Sequence, residues 1–163
     1  MTYRTTDLCD DHGNQARVVE EQFHDFGGKI AFHGKVSTLQ AYEDNSKVRE
    51  ALAEPGDGRV LVVDAGGSLR RAMLGDQIAE SAVRNGWAGV LIFGCIRDSD
   101  AIAALELGVK AIGTCPRKTE KLGQGLRNVT VRIGGTDISP GDWLYADEDG
   151  VVVSAMPLHE VGA

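Results

Sequence analysis

An arginine and an aspartate stand side by side at Arg97-Asp98, directly after the segment Gly94-Cys95-Ile96. The preceding run, Val90-Leu91-Ile92-Phe93, is apolar throughout and predicts a buried strand. The pair therefore stands where a strand ends and a helix begins, which is where open α/β sheets place their ligand sites. Twenty-two residues earlier, Gly75-Asp76-Gln77-Ile78 stands at the start of another predicted helix.

These residue types suit the binding of a small anionic substrate together with a divalent metal. Arg97 stays charged and can bind a carboxylate through two parallel hydrogen bonds, while the carboxylate of Asp98 suits a hard cation such as Mg²⁺. Free backbone N–H groups at a helix start point at an anion, and Gly75 permits close approach to the backbone. On the residues alone two simpler interpretations stay open: Arg97 and Asp98 as charges of a surface ion pair or helix start, and Asp76 as an ordinary helix N-cap.

The composition limits the class of protein. The chain has 163 residues, 42% of them hydrophobic, with a net charge of −7 and a pI near 5.0, and it predicts one domain over 1–163. The acidic balance argues against direct nucleic-acid binding, which needs a basic surface. No apolar run approaches the about 20 residues of a membrane span, and the N-terminus lacks the apolar core of a signal peptide, so we expect a cytoplasmic protein without membrane contact.

The predicted elements follow a βαβαβ order in the middle of the chain and an antiparallel meander at the end, which predicts a layered α/β/β arrangement. Central strands are predicted over 30–39, 59–63, 89–93 and 109–112. Helices are predicted from residue 45 or 46 to 53, from Asp76 as N-cap with Gly86 after its end, and from 98 or 99 to about 107 with Gly108 ending it. The meander is predicted over 129–133, 143–146 and 151–153, with turns at 134–135, 140–142 and 147–150.

Several short motifs, in order along nearly the whole chain, resemble those of one protein family. They are Leu8-Cys9-Asp10, Phe26-Gly27-Gly28, Glu43-Asp44-Asn45, Val62-Val63-Asp64-Ala65-Gly66-Gly67-Ser68, Arg70-Arg71-Ala72, Gly75-Asp76, Gly94-Cys95-Ile96-Arg97-Asp98, Pro140-Gly141-Asp142 and Tyr145-Ala146-Asp147. The family comprises the regulator of ribonuclease E activity A and the class II 4-hydroxy-4-methyl-2-oxoglutarate aldolases. The resemblance implies a layered β/β/α swivelling-domain fold with a central mixed sheet, and a homotrimer, or a hexamer of two trimers, with sites near subunit boundaries. Some members have been labelled demethylmenaquinone methyltransferases, but this sequence shows no nucleotide-cofactor loop that supports the label.

The resemblance also implies roles for the residues at the two motifs. Arg97 corresponds to the arginine that contacts the substrate's carboxylate or enolate oxygen, and Asp98 to the direct protein ligand of the divalent cation, Mg²⁺ or Mn²⁺. The segment Gly75-Asp76-Gln77-Ile78 corresponds to the cradle of the pyruvyl carboxylate. Asp76 is expected to hold a metal-bound water from the second shell of ligands.

The expected activity is metal-dependent aldol cleavage of 4-hydroxy-4-methyl-2-oxoglutarate, or of 4-carboxy-4-hydroxy-2-oxoadipate, to pyruvate and a second 2-oxo acid. Oxaloacetate decarboxylation reaches the same pyruvate enolate and is expected as a side activity, because metal and Arg97 stabilise the same developing charge. The rival hypothesis is a non-catalytic protein inhibitor of ribonuclease E. Family members without aldolase activity can have a non-acidic residue where Asp98 stands, so its presence favours an enzyme.

Other reactive residue types show no catalytic spacing. The four histidines, His12, His24, His33 and His159, lack the spacing of metal ligands and are predicted to be structural or exposed. Cys95 is predicted to be a small buried residue. The basic cluster of Arg117, Lys118 and Lys121 is typical of a solvated loop, although it could also attract anions, and Arg70 and Arg71 are predicted to shape a loop or a subunit contact.

Overall fold

The computed structural model describes residues 3–160, which form four α-helices, a short 3-10 turn and twelve strands. The helices are α1 (Thr5–His12), α2 (Ser46–Leu52), α3 (Asp76–Arg84) and α4 (Ser99–Ala103), with the 3-10 turn at Gly13–Gln15. The strands are β1 (Arg17–Val18), β2 (His24–Asp25), β3 (Phe32–Gln40), β4 (Val60–Asp64), β5 (Ala72–Leu74), β6 (Gly89–Ile96), β7 (Gly108–Thr114), β8 (Leu126–Arg127), β9 (Val131–Ile133), β10 (Thr136–Ile138), β11 (Trp143–Asp147) and β12 (Gly150–Ser154).

A ten-stranded mixed sheet is the framework of the molecule. Its main path runs β1-β12-β11-β3-β4-β6-β7-β2, with β5 on β6 and β8 on β3, while β9 and β10 form a separate hairpin. The centre, β3-β4-β6-β7, is parallel, and the strands at both ends pair antiparallel. This arrangement confirms the predicted α/β class with a central mixed sheet.

Alternate side chains of β4 enter two different cores, because successive residues of a strand point to opposite faces. Leu61 and Val63 pack with apolar residues of α2 and α3. Val60 and Val62 pack on the other face with residues of β9, β10, β11 and β12. Helices therefore cover one face of the parallel strands, and the β9-β10 hairpin and the β11-β12 pair lie on the other, as the β/β/α prediction requires. The predicted meander is wrong in its pairing, because β9 pairs with β10 in a separate hairpin while β11 pairs with β3 and β12.

Three boundaries near the cleft differ from the sequence-based prediction. β6 continues three residues beyond Phe93 to Ile96, so Arg97 directly follows the strand end. α4 ends at Ala103 rather than near residue 107, and Gly108 begins β7 instead of ending the helix. Gly108 is needed where β7 packs against Phe32, because a Cβ placed on it would lie 2.1 Å from that ring.

The three-residue strand β5 has no counterpart in the sequence-based prediction. Its residues Ala72, Met73 and Leu74 are all buried, and it pairs in parallel with the end of β6. Three residues are too few for a periodic signal. Within residues 3–160, no helix has the length and apolar character needed to cross a membrane.

Candidate active site

The pairing of β5 with β6 brings the two sequence motifs together. Ala72 lies opposite Cys95 and Leu74 opposite Ile96, so both strands end at the same edge of the sheet. The backbone N–H of Arg97 donates to the carbonyl oxygen of Leu74 at 2.9 Å. Parallel pairing thus places the residues that follow β5 beside those that follow β6.

Asp98 links the two motifs directly. Its Oδ2 accepts a hydrogen bond from the backbone N–H of Asp76 at 3.1 Å, at the first residue of α3. Asp98 itself has a left-handed backbone conformation with φ of 55° and is the N-cap of α4. The prediction of Asp76 as N-cap of α3 is therefore wrong: Gly75 occupies the N-cap position, and the N–H of Asp76 donates to the carboxylate of Asp98, 22 residues away in sequence.

Glycine at position 75 leaves space beside the site and serves no unusual backbone conformation. Its φ of −122° is accessible to any residue. A Cβ at this position would lie 2.9 Å from Asp98 Oδ2 and 3.5 Å from Arg97 Nε. A side chain at position 75 would therefore press on the Asp98 carboxylate, whereas its contact with Arg97 would be an ordinary one.

The backbone donors of α3 are partly used within the chain. Asp76 N–H donates to Asp98, and Gln77 N–H donates to Asp76 Oδ1 at 2.8 Å. The N–H of Ile78 has no acceptor among residues 3–160. An incoming carboxylate therefore finds the Ile78 donor free, and it competes with Asp98 for the donor of Asp76.

All of the predicted site residues line one cleft of about 350 Å³, between α2 and α3. The sequence-based prediction named Gly75, Asp76, Gln77, Ile78, Arg97 and Asp98, and the structure brings all of them to this cleft. It also adds residues that the sequence-based prediction did not assign to the site: Asn45, Arg49, Ala53, Ala72, Ser81, Arg84, Lys118 and Lys121. Residues 45, 49 and 53, in and beside α2, are four apart, and Gln77, Ser81 and Arg84 of α3 are four and three apart, so each set lies on one helix face.

A buried carboxylate organises the loop that carries the two added lysines, Lys118 and Lys121. Asp44 accepts hydrogen bonds from the N–H and the hydroxyl of Ser46, at 3.0 and 2.6 Å, and from the N–H groups of Leu122 and Gln124, each at 3.0 Å. Burial alone raises the pKa of a carboxyl group, but these hydrogen bonds outweigh it and lower the pKa of Asp44 to about 2. The loop is therefore fastened to the start of α2.

Comparison with known proteins identifies the family of this chain. The model of the family described as RraA-like (Aldolase/RraA) matches residues 5–153. The chain belongs to the RraA-like family. A protein of Alkalilimnicola ehrlichii, provisionally named a 4-hydroxy-4-methyl-2-oxoglutarate aldolase, is 57% identical over 158 residues, covering 97% of this chain and 98% of the relative. A relative from Pseudomonas paraeruginosa with the same name is 51% identical over 162 residues, covering 99% and 100%.

Solved structures of RraA-like proteins share the fold. A crystal structure from Geobacillus kaustophilus, named S-adenosylmethionine:2-dimethylmenaquinone methyltransferase, has a TM-score of 0.95 and 48% identity, covering 98% of this chain and all of that chain. The RNA-processing inhibitor RraA from Thermus thermophilis has a TM-score of 0.94 and 41% identity, covering 99% and 98%. The family resemblance and the fold predicted from the motifs are confirmed. The names of these relatives refer to different activities: an aldolase, a methyltransferase and an inhibitor of RNA processing.

In this RraA-like chain, the free carboxylate oxygens beside Gly75 suit a hard cation that keeps most of its water ligands. Asp98 Oδ1 and Asp76 Oδ2 have no hydrogen-bond donor among residues 3–160. One or two carboxylates with water and substrate oxygens are a usual environment of Mg²⁺. No third acidic, histidine or cysteine ligand joins them in the described part of the chain, so the residues fit Mg²⁺ or Mn²⁺ in an open site rather than a closed protein cage.

Within residues 3–160, one group of three acidic side chains is close enough together to bind a metal ion. It lies outside the cleft, and its buried member is held by hydrogen bonds. It comprises Asp147, Glu148 and Asp149, in the turn between β11 and β12. Asp147 accepts hydrogen bonds from the N–H and the hydroxyl of Thr5, at 2.8 and 2.7 Å, and from the N–H of Asp149 at 3.0 Å. These bonds fasten α1 to the hairpin and account for the buried carboxylate without a ligand.

The remaining reactive residues lie outside the cleft. His33 and His159 belong to an aromatic cluster with Tyr3 and Tyr145, and none of the four histidines lines the cleft. Cys95 is fully buried, as predicted, and burial followed by the nearby Cys115 raises the pKa of its thiol. Arg70 binds Glu43 and Arg71 binds the carbonyl of Lys118, so both arginines shape loops as expected.

Replacing Asp44 by asparagine is expected to lower the free energy of unfolding by about 2 kcal/mol at pH 6 and by about half of that at pH 3. The native pKa of about 2 lies below the ordinary value of 3.8. The ionised group therefore stabilises the native state fully above about pH 4, and this contribution is lost as the pH falls through about 2. Urea unfolding at both pH values measures it, with exposed Asp100→Asn as control, for which less than about 0.5 kcal/mol is expected. An equal effect of Asp44→Asn at both pH values contradicts the prediction.

Proposed function

We propose that this chain catalyses divalent-metal-dependent aldol cleavage of 4-hydroxy-4-methyl-2-oxoglutarate, or of 4-carboxy-4-hydroxy-2-oxoadipate, to pyruvate and a second 2-oxo acid. Oxaloacetate decarboxylation is a secondary activity of the same site. The observation that carries the proposal is the convergence of Arg97, Asp98, Gly75 and Asp76 at one edge of the sheet. Relatives provisionally named as this aldolase, at 57% and 51% identity, support it.

Arg97 is suited to hold the end of the substrate that becomes pyruvate. Its guanidinium has no carboxylate partner within 4 Å among residues 3–160, so its full charge is available to an incoming anion. The free N–H of Ile78 supplies a second donor in the same cleft. Together these groups orient the 2-oxo acid and stabilise negative charge as it moves onto the former keto oxygen.

Asp98 and Asp76 complete the site. Asp98 would hold Mg²⁺ or Mn²⁺ as its protein ligand, and the bound cation would polarise the 2-keto group. Asp76 keeps one carboxylate oxygen without a partner among residues 3–160, and it positions a water molecule beside the reacting bond. The hydroxyl on carbon 4 loses its proton and becomes the keto group of the second 2-oxo acid, while the electron pair of the bond between carbons 3 and 4 passes to the pyruvate fragment, which takes up a proton at carbon 3. Loss of carbon dioxide from oxaloacetate leaves the same fragment, so both substrates need the same charge stabilisation.

The decisive experiment measures pyruvate release from both candidate substrates and from oxaloacetate, with and without divalent metal. Treatment with EDTA is expected to reduce all three rates at least about a hundredfold, because one protein carboxylate provides the direct cation ligand. Addition of excess Mg²⁺ or Mn²⁺ should restore them, and Ca²⁺ serves as a comparison ion of larger radius. Full activity in a metal-stripped sample would refute the mechanism.

A second candidate function is protein-level inhibition of ribonuclease E. The observation in its favour is the likeness to the RNA-processing inhibitor RraA from Thermus thermophilis, at 41% identity and a TM-score of 0.94. Inhibition through a protein surface does not need the metal ligand. Asp98→Asn should then keep any inhibition of ribonuclease E while losing aldol cleavage, and joint loss of both would count against a separate inhibitory surface.

A further inference from the structure

The cleft is cationic although the chain as a whole is acidic. The net charge of the chain is −7, and the cleft contributes only two carboxylates, those of Asp76 and Asp98. Five cationic side chains line the same cleft: Arg49, Arg84, Arg97, Lys118 and Lys121. This local excess of positive charge exceeds what one 2-oxo acid carboxylate requires.

None of these cations is neutralised by the described part of the chain. Over residues 3–160, the ion pairs within 4 Å all involve other basic residues. The acidic neighbours of Arg49 in sequence are bound elsewhere, since Glu50 pairs with Lys47 at 3.3 Å and Glu54 with Arg127 at 3.2 Å. Like charges around one concavity raise the local concentration of an anionic ligand.

Two of the added cations stand on the helices that form the walls of the cleft. Arg84 is eight residues beyond Asp76 on α3, which corresponds to about 12 Å along the helix axis. Arg49 is on α2, which forms the opposite wall. Both arginines stand in the last turn of their helices, where the helix dipole favours a cation. The dipole explains their charge, but it does not explain why two lysines from a separate loop line the same cavity.

The lysine loop is held by its backbone, which leaves the lysine side chains available. Arg71 Nη1 donates to the carbonyl oxygen of Lys118 at 3.0 Å, and Ala72 N–H donates to the carbonyl oxygen of Arg117 at 2.8 Å. The hydroxyl of Thr119 donates to Asn45 Oδ1 at 2.8 Å, and the bonds to Asp44 fix the loop beyond Lys121. The ammonium groups of both lysines accordingly extend from a fixed backbone.

We infer that Arg49, Arg84, Lys118 and Lys121 form a second anion subsite, which binds the carboxylates beyond the bond that breaks, and that the preferred substrate is a tricarboxylate. This inference rests on the proposed function. Of the two candidates, 4-carboxy-4-hydroxy-2-oxoadipate has two carboxylates on the far side of that bond, and 4-hydroxy-4-methyl-2-oxoglutarate has one. Four cations around a cavity of about 350 Å³ suit the former, since each added charge-assisted hydrogen bond strengthens binding.

The test measures binding without turnover. Calorimetry of the metal-free protein with tricarballylate and with glutarate, at low salt, is expected to show at least about tenfold tighter binding of the tricarboxylate. Arg49→Gln/Arg84→Gln should lose at least about tenfold in affinity for tricarballylate and less for glutarate. Lys118→Gln/Lys121→Gln should act in the same direction. The matched control is Lys29→Gln/Arg132→Gln, which removes the same charge from exposed residues outside the cleft and should keep the wild-type affinity.

Three results would overturn the inference. They are equal affinity for tricarballylate and glutarate, an equal loss in the control variant, and equally tight binding of inorganic pyrophosphate, which would indicate general anion attraction.

A second readout uses the metal-loaded protein: the ratio of kcat/KM for the tricarboxylate to that for the dicarboxylate should fall at least about fivefold in Arg49→Gln/Arg84→Gln. A wild-type chain that binds tricarballylate as expected but releases no pyruvate would refute the proposed function and leave the subsite standing.

Discussion

Asp98→Asn is expected to lower the rate of pyruvate release at least about a hundredfold while the protein stays folded. The asparagine carbonyl can still accept the hydrogen bond from Asp76 N–H, 3.1 Å away in the native chain, so the start of α3 keeps its partner. A neutral amide is a much poorer ligand for a hard divalent cation than a carboxylate. Steady-state rates at saturating Mg²⁺ or Mn²⁺, together with urea unfolding, separate the loss of activity from any loss of stability.

The matched control for this substitution is Asp100→Asn. Asp100 is also exposed and lies in the first turn of α4, but it does not line the cleft. Its variant should keep the wild-type rate and metal dependence. A folded Asp98→Asn protein with the wild-type rate would show that the metal is held elsewhere, and the triad at Asp147, Glu148 and Asp149 would then be the next site to test.

Arg97→Lys is expected to lower kcat/KM by about two orders of magnitude, despite conservation of charge. A lysine ammonium is a point charge and cannot offer the two parallel donors of a guanidinium to a carboxylate. The backbone position should not change, because Arg97 N–H remains bound to the carbonyl oxygen of Leu74 at 2.9 Å. Separate measurement of kcat and KM shows whether the arginine acts mainly on binding or on the developing enolate charge.

Arg132→Lys provides the control for the change of side chain. Arg132 is exposed on β9, where it pairs with Asp137 at 2.8 Å, far in the structure from the residues that line the cleft. Its kinetics should match the wild type. If Arg97→Lys loses less than about threefold in kcat/KM, substrate recognition by a bidentate arginine is refuted, and the N–H of Ile78 would have to provide most of the orientation.

The hydrogen bond between Asp98 and the start of α3 involves a donor that the substrate could also use. The Asp98 carboxylate accepts a hydrogen bond from the N–H of Asp76, which an incoming carboxylate could also use. An anion that binds at this helix start therefore competes with Asp98 for the same donor. Glycine at position 75 leaves this contact undisturbed, since a Cβ would lie 2.9 Å from Asp98 Oδ2.

The sequence by itself determined the parts of the site that are covalently adjacent or locally encoded. Arg97 and Asp98 are neighbours in the chain, and the apolar run before them predicted the strand that positions them. The end of α3 was also predictable, because Gly86 has the left-handed φ of 80° that favours glycine after a helix. Such features depend on a few consecutive residues, so pattern and residue type are sufficient.

Only the tertiary structure decided how these parts meet. β5 has three residues and gives no periodic signal, yet its pairing with β6 places Gly75 beside Arg97 and Asp98. The capping of α3 by Asp98 rather than Asp76 depends on that same pairing. The cationic part of the cleft draws on α2, α3 and a loop that Asp44 holds in place. Contacts between segments distant in sequence depend on strand pairing and on packing around the core, and local residue patterns do not contain that information.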